Sequence, residues 1–172
     1  MFKKIAIFAG CMLPVEAFDG LKQWALRYAR HRDIPVKKIA EIKDAEYGFV
    51  VANIDGTSTS CIVQVVFKDL NTGSVSASAA AAGKNILVIT LSNEENVQAV
   101  YRMWDKIATS HNLLIIFVNP FSASEEKWVL KPHLHNKVCD RSSLLQGLKA
   151  MAELVEPIDA ETFAIKILEH VF

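Results

Sequence analysis

Glu41-Ile42-Lys43 sets a carboxylate and an ammonium on one side of an extended chain, the E-x-K form in which the glutamate holds Mg²⁺ and the lysine assists an attacking water. Asp33 stands upstream as a second carboxylate, and Asp55 and Gln64 supply another acid and an amide downstream. Phosphodiester hydrolysis needs at least two converging carboxylates, and with 19 acidic and 19 basic residues one such tripeptide is expected by accident. His133 and His135 share a face if their segment is a strand, and Cys139 and Asp140 follow closely, so imidazole and thiolate ligands for a metal can be assembled on paper. Two histidines need a third ligand from His31, His111 or His170; the plain alternative is a polar strand face or a subunit contact.

Cys11 follows Gly10 at the end of an apolar run, where a thiol before a helix N-terminus gains thiolate character. A Cys-x5-Arg phosphate loop would need arginine where Ala17 stands, so a small buried cysteine is the favoured reading. Gly83-Lys84 lacks the earlier glycine of a phosphate-binding loop, and Asn85 replaces its Ser/Thr. In open α/β sheets ligands settle beyond the carboxyl ends of parallel strands. Gly10 and Cys11, Ser92 and Asn93, and Asn119 and Ser122 are therefore the expected lining of a small-molecule site, or else caps and turns that any such fold requires.

These residues must be held by elements legible in the hydrophobic pattern. Ile5 to Ala9 is a continuous apolar run that predicts a strand covered on both faces, and reads as a strand instead of an export signal because Pro14, Glu16 and Asp19 follow at once. Residues 15 to about 31 predict an amphipathic helix, with Ala17, Leu21, Trp24, Ala25 and Tyr28 recurring on one side. Residues 47–54 and 61–67 predict an antiparallel hairpin around Asp55-Gly56, with 39–43 as a third strand. A weak alanine-rich helix is expected within 71–84, then a strand at 86–89, a helix capped by Ser92 with Glu95, and the very apolar strand 113–118. Residues 128–134 predict an edge strand interrupted by Pro132, and Asp140 and Asp159 cap two closing helices. Trp24, Tyr28, Tyr101 and Trp104 fall on core-facing stripes and form no base-stacking platform.

The expected fold is thus one three-layer α/β domain with a mixed sheet, parallel buried strands plus an antiparallel hairpin, and helices on both faces. The order helix, β meander, weak helix, strand, helix, strand over residues 15–118 resembles the core order of the restriction-endonuclease-like PD-(D/E)XK superfamily. The resemblance implies Mg²⁺-dependent nuclease chemistry, with Asp33 preceding Glu41 and Lys43, or with Asn53 or Asp55 as the acid and Gln64-Val65-Val66 at the E-x-K position. Val66 cannot replace the lysine, so a divergent, non-cleaving member is what it implies on the hairpin.

The 172 residues suit a single domain, and no segment approaches the ~20 apolar residues of a membrane span. Formal net charge is zero, leaving no global field to draw the chain onto nucleic acid or anionic lipid. A 51% hydrophobic content leaves apolar surface for another subunit, so a homo-oligomer is expected. Cys11, Cys61 and Cys139 fit neither a disulfide framework nor a paired zinc motif, which points to a reducing cytoplasm. The sequence favours a non-catalytic binding or assembly domain, with a restriction-endonuclease-like metal-dependent nuclease as the second class.

Overall fold

A computed structural model describes residues 5–8, 11–67, 84–124 and 126–170, with β1 and β2 described by backbone alone. Gly10, Gly83 and most of the alanine-rich segment expected to be helical lie outside the described residues.

The chain opens with β1 (Ile5–Phe8) and β2 (Cys11–Pro14), which pair antiparallel as a separate two-stranded sheet. This corrects the expectation of a buried parallel strand at 5–9: a short apolar run signals coverage without saying which sheet supplies it. Cys11 accordingly opens the return strand and is paired with Phe8. Helix α1 (Val15–Asp33) begins directly after Pro14, with Glu16 in its first turn and Arg30, His31 and Arg32 in its last, as the helix dipole favours. Ala17, Leu21 and Ala25, four residues apart, form its fully buried stripe.

Pro35 cannot continue the helix, and Lys37 turns the chain with φ 50°. Asp33 fixes this exit: its Oδ1 accepts the backbone N–H of Lys38 at 2.7 Å and of Ile39 at 3.0 Å. The meander follows as β3 (Ile39–Ala45), β4 (Gly48–Asn53) and β5 (Ser58–Gln64), all antiparallel neighbours. Gly48 permits the close approach of β4 to β5, since a Cβ there would lie 2.0 Å from the Cys61 carbonyl oxygen at φ +154°. Asp55 and Gly56 make the hairpin turn, with Asp55 Oδ1 accepting from the Thr57 N–H (2.9 Å) and hydroxyl (2.6 Å).

Strands β6 (Lys84–Leu91) and β7 (Leu113–Val118) add in parallel to β5, and β8 (Lys127–Leu130) closes the sheet antiparallel to β7. The six-stranded order is β3-β4-β5-β6-β7-β8. Between β6 and β7 run α2 (Glu94–Arg102) and α3 (Trp104–Ile107), a division at Met103 where one helix was expected. The cap also differs: Asn93, not Ser92, accepts the Asn96 N–H at 2.8 Å. Helix α4 (Pro132–Val138) replaces the expected strand extension, because Pro132 sits in a first helical turn that needs no N–H. Helices α5 (Leu144–Ala152) and α6 (Ala160–His170) end the described chain, α5 starting beyond Asp140 and α6 capped by Asp159, whose Oδ1 accepts the Thr162 N–H at 2.7 Å.

Alternate strand residues face opposite layers. Val88, Ile115 and Phe117 pack with Val97, Val100, Trp104 and Leu148 on one side; Ile89, Leu91, Ile116 and Val118 pack with Leu21, Ala25 and Phe163 on the other. The domain is a three-layer α/β fold with a mixed sheet, and no described helix is long and apolar enough to cross a membrane.

Candidate functional site

Parallel pairing of β6 and β7 brings two of the expected strand-end loops together, with Ser92 N–H donating to the Val118 carbonyl at 2.8 Å, one residue before Asn119. Several of their polar groups are answered internally. The Asn93 amide donates to the Ile158 carbonyl at 2.9 Å, Ile158 N–H donates to the Ser92 carbonyl at 2.8 Å, and Asn119 Oδ1 accepts the Phe121 N–H at 3.0 Å. Ser122 Oγ shares a 2.9 Å bond with Ser124 Oγ. The segment before α6 therefore lies over the strand ends, and Ser92, Asn119 and Ser122 are buried.

At the centre of this closure is Asn96, 1% exposed, which sequence reasoning missed. Its Oδ1 accepts the Phe67 N–H at 2.8 Å, and its Nδ2 reaches the Val65 carbonyl (3.2 Å), Thr90 Oγ1 (3.1 Å) and the Leu91 carbonyl (2.9 Å). One side chain thus ties the exit of β5 to the exit of β6. The available signal was an asparagine in the first turn of a helix directly before Val97, on the stripe assigned to the core.

The acid and lysine candidates are distributed from the end of α1 along the meander. Asp33 is engaged by two backbone N–H groups. Glu41 and Lys43 bridge each other at 3.1 Å, both largely exposed. Asp55 belongs to the β4–β5 turn, where the Thr57 hydroxyl and N–H hold its carboxyl below the usual carboxylate range. Gln64 stands at the other end of β5, six residues beyond Ser58 and so roughly 20 Å along the strand from that turn. Asp55 and Gln64 are not brought to one ion. Asp33 and Glu41 do share a surroundings: with Arg30, Ile34, Lys37, Ile39, Ala40 and Ile42 they line an open cleft of about 560 Å³ between the end of α1 and β3.

His133 and His135 stand two apart on α4 instead of alternating along a strand, which turns them roughly 200° apart around the helix axis. His133 Nδ1 lies 3.1 Å from the Ala108 carbonyl and His135 Nδ1 lies 3.1 Å from the Lys131 carbonyl, so each ring has its own anchor. The His133 ring instead lies against His111, centroids 3.8 Å apart. Among the described residues no group of three or more His, Cys, Asp or Glu is placed to hold a metal ion. Cys61 is buried in the sheet, and burial pushes its thiol up to about 12, which keeps it protonated.

No family model, curated protein or solved structure matches this chain.

Proposed function

We propose that this chain is a non-catalytic assembly domain that takes up an extended segment along the exposed edge of β3. The observation that carries the reading is the edge itself. Among the described residues β4 is the one hydrogen-bonded neighbour of β3, and the open cleft runs beside it. An edge strand presents unpaired N–H and C=O groups, and strand addition satisfies them while pockets for alternate side chains give specificity. Apolar surface flanks the same edge: Ile34, Val36 and Ile54 are 66%, 53% and 73% exposed. Ile54 N–H donates to the Lys38 carbonyl and Val36 N–H to the Asp33 carbonyl, which gathers the three about the start of β3.

The strand-end loops support a small-ligand reading less well, because several of their polar groups already bond within the protein, to Ile158 and Phe121 among others. A Mg²⁺-dependent nuclease is supported less well, because Asp55 and Gln64 stand at opposite ends of β5 and the two acids that line one cleft are engaged, Asp33 by backbone N–H groups and Glu41 by Lys43. The unpaired Cys61 and Cys139 suit a reducing, cytoplasmic setting.

Selection from a displayed library of random 12-residue peptides tests the proposal. Selected peptides are expected to protect β3 amides from hydrogen exchange and to lose binding to an Ala40→Pro variant; peptides that map elsewhere, or none from a chain that is monomeric, overturn it. Labelled DNA incubated with Mg²⁺ or Mn²⁺ is expected to remain intact.

A further inference from the structure

We infer that the segment β3 takes up is β3 of a second copy of this chain, paired antiparallel about a two-fold axis through Ile42. The inference rests on the strand-addition reading above and names its partner. It comes from the charge order of the strand. Glu41 and Lys43, two apart, project from one face and bridge each other at 3.1 Å. Asp44 projects from the other, where Lys22 of α1 holds it at 2.5 Å.

Residues directly opposite in an antiparallel pair share a face and interact, attractively for unlike charges and unfavourably for like. With Ile42 opposite Ile42, Glu41 of each copy faces Lys43 of the other. Shifting the centre to residue 41 puts Glu41 against Glu41, and shifting it to residue 43 puts Lys43 against Lys43. The half-step toward the C-terminus opposes Glu41 and Asp44. The half-step the other way turns the charged face of one copy to the opposite side. The strand is thus complementary to itself in one register and penalised in its neighbours, which is how a self-pairing edge is specified.

Charges on an edge also serve to prevent pairing, and charge exchange distinguishes the two roles. Sedimentation velocity is expected to show a dimer for the native chain. Glu41→Lys and Lys43→Glu, each placing like charges opposite, are expected to weaken self-association roughly 10- to 100-fold. An equimolar mixture of the two variants restores complementarity and is expected to dimerise, as is the double variant Glu41→Lys/Lys43→Glu. Both substituted positions are exposed, so circular dichroism of each variant should match the native chain, confirming a folded protein. A native chain that is monomeric at its highest soluble concentration overturns the inference, as does a dimer that neither single reversal weakens. A monomer whose selected peptides still protect β3 refutes self-pairing while leaving strand addition standing; the absence of both removes the parent reading as well.

Discussion

Replacing Asn96 by alanine tests whether the carboxyl ends of β5 and β6 are structurally closed or a ligand site. The substitution removes an acceptor from the Phe67 N–H and the donors serving the Val65 carbonyl, Thr90 Oγ1 and the Leu91 carbonyl. An orphaned buried N–H costs about 1–3 kcal/mol, while carbonyls tolerate a lost partner more readily. The amide has two hydrogens to share among those three acceptors, and adding two lost donor bonds at about 1 kcal/mol each gives an expected destabilisation of about 3–5 kcal/mol, a large share of the ~5–15 kcal/mol typical of a domain. Guanidinium unfolding followed by tryptophan fluorescence reports it directly, because Trp104 and Trp128 are both buried. Asn96→Asp keeps the acceptor but aims an anion at two carbonyls, so it should recover none of the loss. A cost under about 1 kcal/mol for Asn96→Ala, or rescue by aspartate, would mean that water or a ligand already serves these groups and that the strand ends are not closed by Asn96.

Cys61 keeps its proton when folded up to about 12, against an ordinary 9, so between those values the unfolded chain alone ionises and stability falls as pH rises. Relative to a Cys61→Ala variant the native chain should lose about 1 kcal/mol per pH unit across that window, and parallel profiles would refute the assignment. Gly48→Ala should cost about 2–6 kcal/mol through the clash with the Cys61 carbonyl and the positive φ, as read from denaturant midpoints. Gly147→Ala in α5 meets nothing within 4 Å and should raise stability by about 1 kcal/mol in the same assay; a loss there would show that the helix needs its glycine.

The layers were legible because burial leaves a mark on composition. Residues 86–89 of β6 and nearly all of β7 are aliphatic since both faces are covered, and α1 carries its buried residues four apart. Errors arose where two conformations share one local signal. Pro132 forbids a central strand and also favours a first helical turn, and the backbone that follows chose the helix. Ser92 and Asn93 are both good caps, and the bond from the Ser92 N–H to the Val118 carbonyl ties Ser92 to the neighbouring strand, so the cap falls one residue later than the sequence motif implies. The cleft was legible in part: Asp33 and Glu41 were singled out for a different chemistry, and they do line it. Ile34 and Ile54 escaped notice because exposure is decided by what α1 and β4 leave uncovered.

The two edges of the sheet are protected differently, and this bears on which one assembles. Strand β8 is four residues long, has Trp128 and Leu130 buried, and is cut off by the turn into α4, so it offers an incoming strand little backbone. Strand β3 is seven residues long and carries an irregularity between Ile39 and Glu41. Beyond that bulge its protection against indiscriminate pairing is the charge sequence Glu41, Lys43, Asp44. A bulge and mixed charges discourage most partners, but unlike charges placed symmetrically about one residue admit a partner with the same sequence run in reverse. The features that keep the edge from aggregating are the ones that would select a copy of itself, which is why reversing one charge should separate the copies and reversing both should rejoin them.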